Sequence, residues 1–391
     1  MTDDTTRHGF MTRLVHAGEP ADAATGAVGV PIYQNSTFAF ESTGAIDATL
    51  EGEQERYVYT RYGNPTLTAL EAKLANLEGA DSALVTASGM AAITLAVFEV
   101  AAGGGHIVAS STLYPIARAF FNESAPDYGI SVTMVDATDL DAVRASVTPD
   151  TRAIYVETLC NPTLEVVDVP ALAGIAHGAG AALIVDNTFL SPALYRPLDD
   201  GADLVLHSAT KYLSGHGNLL GGVIAGRAEL MDGIRTRGEH LGGIMSPLTA
   251  WLLISGVKTL ALRVRQHCAT AQAVAELLAA HPAVEMVNYP GLPEHPGHEL
   301  LNRLTGGAAN GVLSVRFRDH ERARRAFLDA LSIPFRAVSL GDAASLVFPF
   351  DDDGVVRIAV GIEDTEDIVA DISRALVAVD AELAVEPAAA G

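Results

Sequence analysis

The chain has 391 residues, of which 49% are apolar and 19% are charged, and this composition excludes a disordered or fibrous protein. Its 25 basic and 48 acidic residues give a formal net charge of −23, which argues against nucleic acid or an anionic membrane as a broad partner. The N-terminus is acidic and polar, and no apolar run approaches the roughly 20 residues of a membrane helix. Only two cysteines are present. For these reasons we expect a cytoplasmic protein.

The first part of the chain divides, in our prediction, into an arm and a large domain. Residues 1–57 show no strong periodicity and carry scattered Gly, Pro and Thr, which predicts an extended N-terminal arm. From residue 58 to 256, short apolar runs alternate with helical patterns such as Ala91–Ala101 and Val169–Gly178, which predicts a mostly parallel sheet covered on both faces. The predicted strands are Ala83–Thr86, His106–Ser110, Ala153–Glu157, Ala182–Asp186, Leu204–His207 and Gly222–Ala225.

The last part of the chain, residues 257–391, has a different pattern and predicts a smaller domain. Its predicted elements are the helices Val257–Ala280, Glu321–Leu331 and Thr365–Val379 and the strands Val284–Tyr289, Gly311–Phe317 and Val355–Val360. We expect the low-complexity tail AELAVEPAAAG to fray. The whole chain is therefore predicted to be an α/β protein with a mostly parallel central sheet and a smaller C-terminal α+β domain.

Four polar groups follow predicted strands at the edge where ligands bind in open α/β sheets. Ser88-Gly89-Met90 follows the first strand and opens a helix, Tyr114 follows the second, and Asp186 ends another. Ser208-Ala209-Thr210-Lys211 follows the next strand. Because the carboxyl ends of parallel strands meet at one edge, we expect these groups to share a ligand.

Each group suits part of a phosphorylated ligand, and each also has an ordinary structural interpretation. The amides of the Ser88-Gly89-Met90 turn and the hydroxyls of Ser208 and Thr210 could bind a phosphate. They could equally be a helix cap and turn residues. Asp186 could pair with a protonated ring nitrogen, or it could cap a helix or turn.

Lys211 decides between these interpretations, because the chain has only three lysines, Lys73, Lys211 and Lys258. Most lysines are solvated, but the neighbours of Lys211 are Ala, Thr, Tyr and Leu. A partly desolvated lysine more readily becomes the neutral nucleophile that forms a Schiff base. An aldehyde cofactor with a phosphate and a pyridine nitrogen uses all four groups, so the pattern indicates pyridoxal 5′-phosphate, with Asp186 keeping its pyridinium charged.

The run DLVLHSATKYLSGHG around the lysine resembles the cofactor-lysine signature of the cysteine/methionine-metabolism family of pyridoxal-phosphate enzymes. That family includes methionine γ-lyase, cystathionine γ-lyase and γ-synthase, and homoserine-ester sulfhydrylases. The resemblance covers nearly the whole chain through YTRYGNPT (59–66), ASGMAAI (87–93), ETLCNPTLEVVD (157–168), VDNTF (185–189), SLGDA (339–343) and VRIAVGIED (355–363). It implies the aminotransferase-like fold type I, with residues 58–256 as the cofactor-binding domain.

The resemblance also implies a role for each matching residue. Lys211 matches the catalytic lysine that holds the cofactor, Asp186 the partner of the pyridine nitrogen, and Tyr114 the tyrosine that stacks on the ring and is assigned to leaving-group protonation. The phosphate cradle is matched by Ser88, Gly89, Met90, Ser208 and Thr210, and the pair that a neighbouring subunit lends to the phosphate is matched by Tyr59 and Arg61. Asn161 matches the residue near the cofactor's phenolic oxygen. The substrate-binding residues are matched by Asn161, Ser339 and Arg357, and the arginine binds the substrate carboxylate.

Two departures from the family pattern lie where substrate side chains would sit. Tyr114 is followed by Pro115 and Ile116, where the family usually has glycine and then glycine or cysteine. The cysteine typical of methionine γ-lyase is therefore missing, and the loop is stiffer. The connection SLVFPFDDDG, residues 345–354, is considerably shorter than in most members. Both changes leave the identity of the substrate open.

The resemblance implies γ-elimination on a sulfur-containing or otherwise γ-substituted L-amino acid, giving ammonia and a 2-oxo acid. γ-Replacement, as in sulfhydrylases and cystathionine γ-synthase, is the alternative, and SLGDA and the apolar Ile116 favour elimination. The combined motifs disfavour transamination, and a non-catalytic carrier is disfavoured because Lys211, Tyr114 and Arg357 are all present. The expected assembly is a homo-oligomer, a dimer with shared active sites arranged as a tetramer.

Other features do not predict a second chemistry. His295 and His298 have no third ligand at a spacing that suits a metal, so we interpret them as loop histidines. Cys160 is interpreted as a small buried thiol. We expect neither metal, nucleic acid nor membrane as a partner.

Overall fold

The computed structural model describes residues 7–101, 103–350 and 354–384, which form two sheets with helices packed against them. The strands are β1 Ser82–Thr86, β2 Gly105–Ser110, β3 Ile130–Val135, β4 Thr151–Glu157, β5 Ala182–Asp186, β6 Leu204–Ser208, β7 Gly222–Gly226, β8 Val284–Asn288, β9 Val312–Phe317, β10 Phe335–Arg336, β11 Leu346–Phe350 and β12 Val355–Ala359. The α-helices are α1 Phe10–His16, α2 Thr43–Leu50, α3 Pro65–Glu78, α4 Gly89–Val100, α5 Pro115–Ala119, α6 Leu140–Ser146, α7 Val169–Gly178, α8 Ser191–Leu194, α9 Ala228–Leu241, α10 Pro247–Lys258, α11 Leu260–Ala279, α12 His298–Thr305, α13 His320–Ala330 and α14 Thr365–Ala384.

The larger sheet has seven strands in the order β1-β7-β6-β5-β4-β2-β3. Only β7 runs antiparallel to its neighbours, β1 and β6, and the other pairs are parallel. Helices cover both faces, which explains why central strands such as β5 are apolar along nearly their whole length. All six strands predicted for this sheet are present within two residues of their predicted bounds, so the predicted mostly parallel sheet is confirmed.

Two predictions for the first half of the chain were incomplete. Strand β3 was missed because it lies at the edge of the sheet and carries Ser131 and Thr133, so its sequence is not a continuous apolar run. The arm of residues 1–57 is not extended throughout, because it contains α1 and α2, the latter capped by the Ser42 side chain, which accepts a hydrogen bond from the Ala45 amide. Residues 1–6 of the arm lie outside the described residues.

The smaller sheet has the order β10-β11-β12-β9-β8, and only the β10–β11 pair is parallel. Its helices α11, α13 and α14 complete the predicted α+β arrangement. The predicted helix Val257–Ala280 was wrong at its start, because Thr259 has non-helical angles (φ −104°, ψ 5°) and separates α10 from α11. The predicted connection 345–354 contains β11, which forms a hairpin with β12, and its residues 351–353 lie outside the described residues.

The division of the chain into domains at 57/58 and 256/257 stays a prediction, and the second boundary falls in the last turn of α10. The tail from residue 385 onward, for which fraying was predicted, also lies outside the described residues.

Within the described ranges, no single helix is long and apolar enough to cross a membrane. Helices α10 and α11 reach that length only together, across a bend of 59°, and both bury one face in the protein.

A buried cluster of opposite charges ties the arm to two helices. Lys73 on α3 is fully buried, lies 3.0 Å from Glu19 Oε1 and donates a hydrogen bond of 2.7 Å to the Leu14 carbonyl. Lys258, at the end of α10, lies 2.7 Å from Glu19 Oε2 and keeps 35% of its side chain exposed. Two of the three lysines therefore stabilise the fold through one carboxylate.

Replacement of the buried lysine should destabilise the protein more than replacement of the exposed one. We expect Lys73→Met to lower the free energy of unfolding by about 3 kcal/mol, because it removes one partner of a buried ion pair. The matched variant Lys258→Met should cost at most about 1 kcal/mol, because its pair is partly solvated. Urea denaturation of both variants checks this, and equal losses would contradict it.

Candidate active site

Lys211 lies in the turn that follows β6, where its amide donates to the Ser208 carbonyl at 3.2 Å. Its Nζ donates to Ser339 Oγ at 2.8 Å, and no carboxylate of the described residues lies within ion-pair distance of it. Burial, and then the charge of Arg357, lowers the pKa of Lys211 to about 8. Since the other two lysines are paired with Glu19, Lys211 is the lysine suited to act as a nucleophile.

The glycine loop after Lys211 is packed too closely to accept side chains. Arg263 is buried and donates to the Tyr212 carbonyl at 2.8 Å, and a Cβ at Gly215 would collide with its guanidinium. A Cβ at Gly217 would collide with the carboxylate of Asp342 in the SLGDA segment. Both glycines also have positive φ angles, which other residues rarely adopt. The loop thus brings the SLGDA segment against the turn that carries the lysine.

Asp186 ends β5, the strand next to β6, and is fixed by a residue that the sequence analysis missed. Its Oδ1 accepts hydrogen bonds from the Thr188 amide (2.9 Å) and hydroxyl (2.5 Å). The same hydroxyl accepts from the Ser208 amide at 2.8 Å, so Thr188 links the aspartate to the turn before Lys211. Burial raises the pKa of Asp186, and the Thr188 hydrogen bonds oppose that rise. A hydroxyl two residues after an aspartate was the signal for this link.

Glu157 is a second buried carboxyl of the site, and it was also missed. It is the parallel-register partner of Asp186, and its Oε1 accepts a hydrogen bond of 2.7 Å from the Tyr114 amide. Burial, and then the charge of Asp186, raises the pKa of Glu157 well above its ordinary value. Glu157 therefore positions the backbone of Tyr114, where Pro115 begins α5, and leaves the tyrosine ring 45% exposed.

The predicted phosphate cradle lies at the start of the twelve-residue helix α4. Ser88 Oγ caps that helix by accepting from the Ala91 amide at 3.2 Å, so the helix-cap interpretation of Ser88 is correct. A Cβ at Gly89 would come within 3.0 Å of the Ser208 Cβ, which shows that the two turns meet. Met90 follows in the first turn, and Thr210 Oγ1 accepts from the Gly221 amide at 3.1 Å. The turns that carry Gly89 and Ser208 therefore lie together at the N-terminus of α4, where a phosphate could bind, and the role of these residues stays a prediction.

The predicted substrate-binding residues are brought together with the lysine. Arg357, on β12, donates to Asn161 Oδ1 at 3.1 Å and to the Ser339 carbonyl at 2.8 Å. Ser339 in turn accepts from Lys211, and its φ of +91° is unusual for a residue other than glycine. Burial lowers the pKa of Arg357 to about 10. Ser339 therefore bonds both to the Lys211 amine and to the Arg357 guanidinium, which is a cation suited to a carboxylate.

Tyr59 and Arg61 are not brought to this cradle by their own chain. Arg61 donates to the Glu239 carbonyl at 2.6 Å, and its guanidinium lies 5.4 Å and 4.8 Å from the rings of Tyr59 and Tyr62. Their role stays a prediction that requires a second subunit.

The donor set fits pyridoxal phosphate. A nucleophilic lysine, a buried carboxylate for the ring nitrogen, and a helix N-terminus with hydroxyls for the phosphate lie at neighbouring strand ends of one sheet. Cys160 is buried, and burial raises its thiol pKa well above the ordinary value, which suits an inert thiol. No group of three or more His, Cys, Asp or Glu suited to a metal occurs in the part of the chain that the structure describes.

Comparison with known proteins agrees with this site. A family described as Cys/Met metabolism PLP-dependent enzyme matches residues 11–349. L-methionine gamma-lyase of Pseudomonas putida is 41% identical over 94% of this chain and 97% of its own, and cystathionine gamma-synthase of Mycobacterium tuberculosis is 40% identical over 96% and 100%. A crystal structure from Campylobacter jejuni, named as an O-acetylhomoserine (thiol)-lyase with N'-pyridoxyl-lysine-5'-monophosphate, has a TM-score of 0.89 at 30% identity over 94% and 99%. The predicted family, fold type and cofactor are confirmed.

The lowered pKa of Lys211 predicts how covalent capture of pyridoxal phosphate depends on pH. The rate with cofactor-free protein should rise as the pH approaches about 8 and then level off, because only the neutral amine attacks the aldehyde. Stopped-flow absorbance of the bound cofactor measures it, with Lys258→Met as a control that keeps the same profile. A midpoint at the ordinary lysine value of 10.5 would show that Lys211 is not desolvated.

Proposed function

The chain belongs to the Cys/Met metabolism PLP-dependent enzymes, and on that premise we propose that it catalyses γ-elimination on a sulfur-containing or otherwise γ-substituted L-amino acid. The products are ammonia, a 2-oxo acid and the released γ-substituent. The observation that carries the proposal is that Lys211 Nζ and the Arg357 guanidinium meet at Ser339, so that a base lies beside a carboxylate receptor. The similarity to L-methionine gamma-lyases along nearly the whole chain supports elimination.

Substrate binding, in this proposal, begins at Arg357. Its guanidinium is planar and can donate two parallel hydrogen bonds to a carboxylate. Asn161 and the Ser339 carbonyl hold it in place, so the amino-acid backbone is oriented before any bond is broken. Because Arg357 is buried, the carboxylate meets it with little intervening water.

Proton transfer is the task of Lys211. When bound, pyridoxal phosphate withdraws electrons from the substrate Cα and so makes its proton and the Cβ proton acidic. As a free amine, Lys211 Nζ would take up the Cα proton and give it back on the cofactor side of the bound substrate. Neutral again, it would then take up a proton from Cβ. The carboxylate of Asp186 would accept the hydrogen bond of the ring nitrogen, and the Thr188 amide and hydroxyl hold the carboxylate in its orientation.

Departure of the γ-substituent is assigned to Tyr114. We propose that its phenol would give its Oη proton to the departing sulfur while the Cγ–S bond breaks and the electron pair left at Cβ forms a Cβ=Cγ bond. The phenolate would then regain a proton from the Lys211 ammonium. The Glu157 carboxyl on β4 accepts a hydrogen bond from the Tyr114 amide and so fixes the backbone from which the Tyr114 ring extends. Protonation at Cγ and addition of one water would then release ammonia and the 2-oxo acid.

γ-Replacement is the second candidate, and a specific observation favours it. The cystathionine gamma-synthase of Mycobacterium tuberculosis matches 96% of the chain, and the structure named as an O-acetylhomoserine (thiol)-lyase matches 94%, as the L-methionine gamma-lyase of Pseudomonas putida does. In replacement, a thiol adds at the carbon from which the γ-substituent departed. The same lysine, arginine and tyrosine would serve both outcomes.

The two outcomes are separated by a direct product assay. We expect 2-oxobutanoate and ammonia from methionine, homocysteine or cystathionine, and little homocysteine from homoserine esters with sulfide. Lys211→Ala should abolish both reactions, because no other lysine reaches the site. If only the replacement product forms, elimination is the wrong assignment.

We also propose that the protein is a homo-oligomer, in which two subunits share their active sites and two such dimers form a tetramer. Its proposed location is the cytoplasm. Tyr59 and Arg61 match residues that a neighbouring subunit lends, and Val28 (86%), Leu220 (70%) and Leu241 (62%) leave much apolar surface exposed. Both cysteines are free thiols, which suits a reducing compartment. The domain division at residues 57/58 and 256/257 is part of this proposal.

Arg61 provides the test of the shared site. We expect Arg61→Ala to weaken cofactor retention roughly tenfold or more, because it removes a charged hydrogen-bond donor from a dianion. Dialysis against buffer followed by cofactor absorbance measures the loss, and Arg325→Ala, an exposed arginine paired with Glu321, is the matched control. A fully active monomer by light scattering would refute the shared site.

A further inference from the structure

The β11–β12 hairpin carries two aromatic side chains beside Arg357 to which none of the roles above is assigned. Phe348 is the cross-strand partner of Arg357, and Phe350 follows two residues later, so the three side chains share one face of the smaller sheet. The Phe350 ring lies 5.3 Å from the Arg357 guanidinium and 5.6 Å from the Phe348 ring, edge to face. Both rings are only half-buried, so the core does not absorb them.

This face of the smaller sheet is directed at the active site. Arg357 bonds there to Asn161 and Ser339, and Ser314, its partner on β9, donates to the Pro162 carbonyl at 3.3 Å. The two rings therefore lie beside the Arg357 guanidinium, which is the proposed receptor of the substrate carboxylate. They lie in the short connection that departs from the family pattern, so they belong to this chain's own version of the site.

Other apolar side chains around the site are exposed as well. Ile116 is 53% exposed, and Val338, which precedes Ser339, is 63% exposed. A charged group placed among such side chains loses hydration without gaining a partner. Alkyl and aryl groups gain by leaving water and by contact with the aromatic rings.

We propose that Phe348 and Phe350 line a subsite for the γ-substituent, and that this subsite selects S-alkyl and S-aryl thioethers larger than methionine over substrates with a charged distal end. The proposal rests on γ-elimination at Lys211 as the reaction. The ring of Phe350 also stacks on the Arg357 guanidinium, so it fixes the position of the carboxylate receptor relative to the subsite.

The test compares kcat/KM for release of 2-oxobutanoate from methionine, ethionine, S-benzylhomocysteine and cystathionine. In the unchanged protein we expect S-benzylhomocysteine to exceed cystathionine by about tenfold or more. Phe348→Ala and Phe350→Ala should each lower the ratio of S-benzylhomocysteine to methionine by about tenfold. Tyr128→Ala, which removes the exposed ring of the Phe98–Tyr128 pair, should leave the ratio unchanged.

The outcomes distinguish the subsite from the reaction. Cofactor absorbance and thermal unfolding identify variants that remain folded and loaded. If the phenylalanine variants lose activity equally with all four substrates, or with none, the subsite is refuted and γ-elimination stands. If the unchanged protein eliminates no thioether, the proposed reaction fails, and the same amino acids are compared by binding, read as a change in cofactor absorbance. A binding preference that both variants leave unaltered would then refute the subsite too.

Discussion

The hydrogen bond from Lys211 Nζ to Ser339 Oγ joins the two sheets at the site, and through Ser339 it brings the lysine close to Arg357. Ser339 holds a left-handed backbone at a cost of about 1–3 kcal/mol for a residue that is not glycine. Arg357 offsets this by donating to its carbonyl. Two cations thus approach each other through a neutral residue, and burial together with the Arg357 charge depresses the pKa of the lysine. The reactive amine is a consequence of how the sheets meet.

A second constraint comes from the register of β4 and β5, which places Glu157 opposite Asp186. Two buried carboxyls this close cannot both ionise without a large electrostatic penalty. The Thr188 hydrogen bonds favour the charged form of Asp186, whereas burial and the Asp186 charge dominate at Glu157. We therefore infer that Glu157 keeps its proton and Asp186 carries the charge. The strand order determines which carboxyl can serve the ring nitrogen.

The sequence predicted those parts of the fold that local pattern determines. The apolar runs of β5 and β6 gave strands close to their observed bounds, because both faces of these strands are buried. The edge strand β3 alternates with polar residues, and β11 contains Pro349, so neither had the pattern of a central strand. The bend at Thr259 depends on tertiary contact and has no proline or glycine pair to announce it.

The candidate site was predictable as far as motifs name residues, and no further. Asp186 and Lys211 were connected by their positions after predicted strands, whereas only the resemblance connected Arg357 to them before the strand order was known. Thr188 and Glu157 lie inside the motifs, and the spacing of Asp186 and Thr188 signals the hydrogen bond between them. Their other bonds come from the Ser208 and Tyr114 amides, on other turns, and no pattern of residue types encodes those.

Charge placement explains how so acidic a chain can bind anions. Lys211 and Arg357 are both largely removed from water, and neither has a carboxylate partner within ion-pair distance among the described residues. The surface charges that give the net −23 are screened over about 8 Å at physiological ionic strength, whereas buried charges are screened much less. An anionic ligand in the site therefore responds mainly to these two cations. Arg357 is destabilised by desolvation until an anion arrives, so part of the cost of burying it is returned as affinity for a carboxylate. The other two lysines, Lys73 and Lys258, are paired with Glu19 and so do not attract an anionic ligand.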